Sequence, residues 1–212
     1  MITCPQIPPS SSQLSGYVFL IEDEDELRAD LERMLSFYGY RVRGFSNPQE
    51  YLALNSHVAP AVVVTDMRMP EMSGVELQEE LMRQGRKIPM VFISGQSEDH
   101  QIVAALKGGA VDFLLKPFAR ETLLAAVAKG LEIDTKQMMS IIRKNELEEK
   151  LKLLSPREKE VFELLIKGFN NKEIIDALGI SLPTAKQYKS EVMYKLRVRS
   201  LSELISIHAS FS

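Results

Sequence analysis

The chain has few cysteines, few histidines and no long apolar run, and each shortage excludes a class of protein. With one cysteine among 212 residues it cannot form an internal disulfide, so a cytoplasmic location is the default expectation. The three histidines are scattered, with no acid or cysteine at ligand spacing, so we do not expect a histidine metal site. No apolar run approaches the roughly 18 residues of a membrane span, so we expect no membrane partner.

The N-terminal residues 1–15 also lack the signals of a targeting segment. They contain Pro5, Pro8, Pro9 and a run of three serines, but neither a basic start nor an apolar stretch. This composition predicts a flexible N-terminal tail over residues 1–15, not a signal peptide.

Net charge is near zero but unevenly distributed. Lys and Arg minus Asp and Glu is −7 over residues 1–134, and +2 over each of the ranges 135–154 and 155–212. The asymmetry suggests a cation site in the acidic part and a polyanion partner for the mildly basic part. The basic excess is small, so by itself it permits nucleic-acid binding without indicating it.

Up to about residue 131, predicted strands alternate with predicted helices. The strands cover 17–21, 41–45, 61–66, 89–94 and 113–116, and the helices cover 25–38, a segment starting at 48, 73–84, 100–108 and 120–131. This alternation is typical of a parallel sheet with helices on both faces. We therefore predict an α/β, flavodoxin-like (βα)5 domain over residues 16–132.

Charged residues stand at the ends of three of these strands. The apolar run 61–64 leads to Asp66, the first strand is followed by Glu22 and Asp23, and the fifth runs into Lys116. The carboxyl ends of parallel strands share one edge of a sheet, where open α/β domains place their sites. Three acids and a lysine at one edge suit a divalent cation and a phosphoryl group.

Together these residues resemble the receiver domain of bacterial two-component response regulators, over about residues 17–131. The resemblance implies that Asp66 is the phospho-acceptor, that a histidine kinase is the phosphoryl donor, and that Mg²⁺ is the cofactor. The implied metal ligands are Glu22, Asp23, Asp66 and the backbone carbonyl of Arg68. The first acid of the pair is usually Asp in this family and is Glu here.

The same resemblance implies roles for residues around the acceptor. The implied catalytic and switch residues are Ser94, Lys116 and Phe113. The residues implied to tune the lifetime of the phosphoryl group are Arg68 and Gln96. The surface through which receivers pair is implied to include Val103 and Lys107. The hydroxyl residue is often Thr in the family and is Ser here.

Simple chemistry supports such a site. Mg²⁺ prefers oxygen ligands in octahedral geometry, so two or three carboxylates and a backbone carbonyl suit it. Asp66 would act as a carboxylate nucleophile and form an acyl phosphate. Lys116 would supply a compact positive charge to the phosphoryl oxygens, and the Ser94 hydroxyl could hydrogen-bond one of them.

Beyond the predicted α/β domain, residues 134–154 contain no glycine or proline and predict a helix that continues the one before it. We assign residues 133–153 as a linker helix. It carries two apolar stripes, Met138 with Ile141 and Ile142, and Leu147 with Leu151 and Leu154. The stripes do not keep one heptad register, which is unfavourable for a coiled coil. A coiled-coil dimer seam nevertheless stays open as an alternative.

Residues 154–212 predict an all-α domain of four helices. Ser155, Pro156 and Glu158 have the pattern of a capping box with proline at the first helical position. Two short helices joined through Gly179 form a helix-turn-helix pattern.

This segment resembles the LuxR-type helix-turn-helix of NarL/FixJ-family regulators. The resemblance is carried, in order, by Leu154-Ser155-Pro156-Arg157-Glu158, Asn171-Lys172-Glu173-Ile174, Leu178-Gly179-Ile180-Ser181, Thr184, Lys195-Leu196 and Arg199-Ser200-Leu201. It implies binding to double-stranded DNA through the major groove. The implied base-facing residues are Lys186, Gln187 and Ser190, and the implied phosphate contacts are Asn171, Lys172, Thr184, Lys189 and Lys195.

The combined resemblance implies a two-component response regulator that a histidine kinase phosphorylates on Asp66. Phosphorylation would promote homodimerisation and DNA binding and so regulate transcription, with at most slow autodephosphorylation. Two alternatives stay open. One is a phosphorylation-independent DNA-binding regulator that uses its receiver for protein contacts. The other is a Mg²⁺-dependent phosphohydrolase, disfavoured because Arg68 stands where such enzymes have a second acid.

Overall fold

The computed structural model describes residues 16–54, 58–95 and 99–209, so the predicted tail over residues 1–15 lies outside it. The chain divides into two compact units that meet between Met138 and Met139. The first contains a sheet and its helices, and the second is helical. The predicted domain boundaries at 132 and 153 stay predictions.

Within the described residues, the first unit has five strands that alternate with five helices, the last of which continues into the second unit. Its elements are β1 (Tyr17–Ile21), α1 (Asp25–Phe37), β2 (Arg41–Phe45), α2 (Pro48–Leu52), β3 (Ala61–Asp66), α3 (Gly74–Arg83), β4 (Met90–Ser94), α4 (Asp99–Lys107), β5 (Asp112–Leu115) and α5 (Arg120–Lys152). All neighbouring strands pair in parallel, in the order β2-β1-β3-β4-β5. The predicted flavodoxin-like fold class is confirmed.

Burial on both faces explains why the central strands are almost purely apolar. Every residue of β3 is buried, and alternate residues of the sheet serve two different cores. One core joins the sheet to α1 and α5, and the other joins it to α2, α3 and α4. A strand covered by helices on both sides needs no polar face, which is the pattern of a parallel sheet.

Local signals set most element ends. Ser73 and Glu76 form the predicted capping box of α3, and Asn47 caps α2 by accepting from the backbone N–H of Glu50. The fifth strand is displaced by one residue from the predicted range 113–116: it starts at Asp112 and ends at Leu115. Lys116 therefore lies just beyond the strand pairing, where its side chain can reach the neighbouring strand ends.

The predicted continuous helix is confirmed as α5, which passes from the first unit into the second. In the first unit it lies close to the sheet at Gly130, where a Cβ would come 2.6 Å from a methyl carbon of Val62. One turn further on, Asp134 accepts a hydrogen bond of 2.8 Å from the backbone N–H of Ala61, at the start of β3. The described helices include none that is long and apolar enough to cross a bilayer.

The second unit contains α6 (Pro156–Ile166), α7 (Asn171–Leu178), α8 (Leu182–Leu196) and α9 (Leu201–Ala209). Its core includes Leu165, Ile174, Val192 and Leu196. The second apolar stripe of the linker packs against this core, since Leu154 is buried and Leu147 and Leu151 are half-buried in it. That stripe therefore belongs to the second unit and is not free to form a dimer seam.

Glu158 ties together the start of α6 and the end of α8. Its carboxylate accepts from the backbone N–H of Ser155 and from the ammonium of Lys195, at 2.7 and 2.9 Å. Glu158 is buried although it is charged. The Lys195 hydrogen bond and the backbone hydrogen bond from Ser155 lower the pKa of the Glu158 carboxyl below its ordinary value of 4.5.

We predict that Glu158→Gln destabilises the second unit by about 1–2 kcal/mol at neutral pH, because the charge-assisted bond and part of the cap are lost. Since the folded-state pKa is lowered, this stabilisation exists above the unfolded-state pKa and disappears as pH falls through the folded-state value. Urea unfolding from pH 7 down to pH 3 should show the wild type and the variant converging in acid.

The matched control is Glu160→Gln, which breaks an exposed ion pair with Arg157 on the same helix. Exposed pairs contribute little, so a change within about 0.5 kcal/mol is expected at every pH. An equal loss in both variants would mean that the contact between Glu158 and Lys195 has no special weight.

Candidate functional site

The carboxyl ends of three strands bring four charged residues of the first unit together at one edge of the sheet. Glu22 and Asp23 follow β1, Asp66 ends β3, and Lys116 follows β5. Carboxylate oxygens of Glu22, Asp23 and Asp66 lie within 4.8 Å of one another. Glu22 and Asp66 are buried, whereas Asp23 is exposed, so the cluster opens to solvent on one side.

The Lys116 ammonium joins two of the three acids. It donates to Glu22 Oε2 at 2.8 Å and to Asp66 Oδ2 at 2.5 Å. Burial alone would lower the pKa of Lys116, but the hydrogen bonds to Asp66 and Glu22 outweigh burial and raise it. Lys116 is therefore a fixed positive charge that offsets part of the repulsion among the carboxylates.

Glu22 is the most deeply buried of the three acids. Burial raises the pKa of its carboxyl, and the Asp66 carboxylate beside it also raises it, against the opposing hydrogen bond from Lys116. Its ionised form is costly in this position and would gain from a second cation nearby. Glu22, which stands where the receiver resemblance leads us to expect Asp, is therefore part of the cluster.

Asp66 is held by the backbone on its other side. Its Oδ1 accepts from the backbone N–H of Arg68 at 2.8 Å, so both oxygens are oriented. Ser94 lies at the end of the adjacent strand, buried, with its carbonyl accepting from the backbone N–H of Lys116 at 2.7 Å. Phe113 is half-buried against the core beneath α3 and α4. The predicted acceptor, lysine and hydroxyl residue are therefore on adjoining strand ends.

The donor set of this cluster fits Mg²⁺. It consists of carboxylate oxygens only, and one of the three residues faces solvent, which suits a cation that keeps several of its waters. The cluster would also gain from a cation, because three acids share one lysine. No described contact tests the predicted role of the Arg68 carbonyl, and Gln96 lies outside the described residues.

The second unit presents a polar surface on α8. Lys186, Gln187 and Ser190 are exposed along one face of that helix, opposite the buried Ala185 and Val192. The N-terminus of α8 is capped by Ser181, whose hydroxyl lies 2.8 Å from that of Thr184. An exposed stripe of this kind can enter a groove of DNA while the opposite face stays in the core.

The predicted phosphate contacts are placed unequally. Lys172 is exposed at the start of α7, and Asn171, Thr184 and Lys189 are half-buried. Lys195 is engaged in its ion pair with Glu158, so its ammonium serves the packing of the second unit in this structure. Its role as a phosphate contact has the weakest structural support of the five.

Comparison with known proteins assigns both units. Residues 18–128 match the family described as response regulator receiver domain, and residues 152–208 match the family described as bacterial regulatory proteins, luxR family. The response regulator TodT of Pseudomonas putida is 33% identical over 196 residues, covering 92% of this chain and 86% of that protein. The transcriptional regulatory protein FixJ of Rhizobium meliloti is 34% identical over 188 residues, covering 89% of this chain and 92% of that protein.

The chain belongs to the NarL/FixJ family of response regulators.

A solved structure agrees with this assignment. The response regulator StyR superposes with a TM-score of 0.79 and 35% sequence identity, and the match covers 93% of this chain and all of StyR. This NarL/FixJ-family protein is thus a transcriptional response regulator with a receiver domain and a LuxR-type DNA-binding domain. Its relatives are transcription regulators, in agreement with the expectation of a regulator that is not an enzyme.

Two residues that support the acidic cluster of this NarL/FixJ-family protein were not predicted from the sequence. Arg28 on α1 donates to the backbone carbonyl of Glu22 at 2.7 Å and so holds the start of the acidic pair. Gly74, the first residue of α3, lies so close to β3 that a Cβ would come 2.5 Å from the Asp66 carbonyl oxygen. The sequence feature that could have indicated this close approach is a glycine directly after the serine that caps α3, since a glycine lets another backbone come near.

The receiver-pairing residues of the resemblance are on the surface. Val103 is 48% exposed on α4, and Lys107 is exposed in its last turn. Both are accessible to a partner, and their role stays a prediction.

We predict that Mg²⁺ stabilises the first unit of the wild type, by about 2.7 kcal/mol at a concentration 100 times its Kd. Asp23→Asn should greatly reduce this gain, because it removes the exposed carboxylate of the cluster without disturbing the Lys116 contacts. Thermal unfolding with and without MgCl2, followed by circular dichroism, measures both effects.

Asp30→Asn is the control, since Asp30 is an exposed acid of α1 paired with Arg33. It should leave the Mg²⁺ effect unchanged. If Asp23→Asn responds to Mg²⁺ as strongly as the wild type, the acidic cluster is not where the cation binds.

Proposed function

We propose that this protein is switched by phosphorylation of Asp66 by a histidine kinase, and that the phosphorylated form dimerises and binds DNA to regulate transcription. The observation that carries the proposal is the placement of Asp66, one oxygen on Lys116 and the other on the Arg68 backbone N–H, inside a cluster of three carboxylates. Family membership supports the same function.

The reaction would be a phosphoryl transfer to a carboxylate. One oxygen of Asp66 forms a bond to phosphorus while the bond from phosphorus to the imidazole nitrogen of the kinase histidine breaks. The electron pair of that bond stays on the imidazole nitrogen, which then takes up a proton. The product is an acyl phosphate on Asp66 and a neutral histidine on the kinase.

Glu22, Asp23 and Asp66 would hold Mg²⁺, which when bound offsets the repulsion between the acidic cluster and the incoming phosphoryl group. Lys116 is already in contact with Asp66 and can transfer one hydrogen bond to a phosphoryl oxygen as that oxygen arrives. Arg28 and Gly74 would act by positioning, because they hold the backbone of Glu22 and Asp66.

The conformational signal would start at Ser94. Ser94 ends β4, which pairs with β3 on one side and β5 on the other, so its hydroxyl would be the one that a phosphoryl oxygen on Asp66 draws toward itself. Phe113 lies on the neighbouring strand and is only half-buried, so it can turn inward. Phosphorylation would then favour a form of the α4 and β5 surface, including Val103 and Lys107, that pairs receivers.

DNA binding would follow from pairing. Two copies of α8 would meet adjacent half-sites roughly one helical turn apart, with Lys186, Gln187 and Ser190 facing bases. Lys172, Asn171, Thr184 and Lys189 would contact phosphates and fix the position of the helix.

The decisive experiment compares the wild type with Asp66→Asn, with and without beryllofluoride and Mg²⁺. The treated wild type should double its mass in light scattering and bind a duplex selected from random sequence at least tenfold more tightly, whereas Asp66→Asn should respond to neither. Asp30→Asn, which changes an exposed acid of α1 outside both the cluster and the pairing surface, serves as the control. Equal DNA binding by all samples would favour the phosphorylation-independent alternative.

A second prediction separates base from phosphate contacts. Lys172→Ala should weaken binding to every duplex alike and lower the slope of log K against log salt by about 0.9, as expected for one lost phosphate contact. Gln187→Ala should cost about 1–3 kcal/mol on the selected duplex and relax its sequence preference. Lys159→Ala, an exposed lysine of α6, is the matched control and should change neither quantity. An unchanged sequence preference in Gln187→Ala would exclude that residue from base recognition.

A further inference from the structure

Two turns of α5 carry an apolar face that is open to solvent. Met138, Ile141, Ile142 and Asn145 follow one another at the i, i+3, i+4, i+7 spacing of a single helix face, here called the linker patch. Ile141 is 60% exposed and Ile142 is 44% exposed. Single exposed apolar residues are ordinary, but two adjacent isoleucines on one helix face call for a partner.

The linker patch lies between two covered stretches of the same helix. Before it, Val127 and Leu131 are buried in the core of the first unit. After it, Leu147 and Leu151 pack against the core of the second. Among the described residues, neither core includes Ile141 or Ile142.

We propose that the occupant of the linker patch is the same patch of a second copy, paired in parallel when receivers dimerise. With Met138 and Asn145 at successive a positions of a heptad, Ile141 is the d position between them and Ile142 is the e position beside it. The next d position is Glu148, so the apolar seam ends at Asn145. Asparagine at a single a position is the residue that selects a parallel, in-register pair of helices.

The charges beside the patch match this arrangement. Lys144 is the g position of this heptad and Glu149 is the e position of the next, and these face each other across a parallel pair. Both side chains are exposed, and Glu149 would exchange its ion pair with Lys152 on the same helix for one with Lys144 of the second copy. An antiparallel pair would bring each Asn145 near the apolar end of the other helix.

Two helical turns bury far less than the roughly 1,200 Å² of a stable interface, so the patch cannot hold a dimer by itself. The inference therefore rests on the proposed function, in which receivers supply most of the pairing. The patch would then align the two copies of α5 and limit the positions from which the two DNA-binding units reach their half-sites. The linker patch would therefore mainly fix the alignment of the two helices, and it would raise the affinity of the dimer only modestly.

Cysteine crosslinking in the full chain tests this arrangement. In a Cys4→Ser background, Ile141→Cys and Arg143→Cys are compared after treatment with beryllofluoride and Mg²⁺, under a mild oxidant. Arg143 is exposed two residues away at the f position, on the opposite side of the heptad. Ile141→Cys should form a covalent dimer at least tenfold faster than Arg143→Cys, and only in the treated sample.

Mass measured without oxidant separates the two levels of the argument. If the treated protein doubles its mass but both cysteines crosslink equally, the linker patch is not the seam, while the proposed switch stands. If the mass does not double, the switch and the patch are both rejected. A further variant, Ile141→Lys, should weaken the treated dimer several-fold, and unchanged dimer affinity would also overturn the inference.

Discussion

The contact on which the rest of the first unit depends is that of one ammonium with two buried carboxylates. Lys116 donates to both Glu22 and Asp66, which come from strand ends that are 94 and 50 residues away along the chain. Two buried acids without this cation would face a large desolvation penalty and mutual repulsion. The sheet order that places β1 and β3 side by side, with β5 reaching the same edge, is therefore also what makes the acidic site possible.

That site is still short of positive charge, and this shortage is chemically useful. Three carboxylates share one lysine, so the cluster carries an excess of negative charge that a divalent cation would offset. The arrangement tolerates Glu22 in place of the usual Asp, because its longer side chain reaches Lys116 while remaining in the cluster. Arg28 and Gly74 contribute indirectly, by fixing the backbone from which the acids project.

The long helix α5 links the two halves of the protein in a different way. It supplies apolar residues to the core of each unit and leaves two turns between them uncovered. A continuous helix preserves the angular relation between residues along it, so the apolar residues that it gives to each unit stand at fixed spacings on one helix. In the second unit, the ion pair of Glu158 and Lys195 joins α6 to α8, so the exposed polar stripe of α8 is attached to a packed core.

Much of this could be predicted from the sequence, because the information was local. The apolar run ending at Asp66, the capping pattern of Ser73 with Glu76, and the uninterrupted helix after residue 131 each depend on neighbours within a few positions. The fold class then follows from alternation alone. The sequence predicted Lys116 at the same edge as the acids, but it could not determine which of them Lys116 contacts. Nor could it determine the other contacts between distant segments: Arg28 with a carbonyl, Gly74 against β3, and Lys195 with Glu158. Each depends on distances that exist only after the strands and helices have packed, which is why tertiary structure decided them.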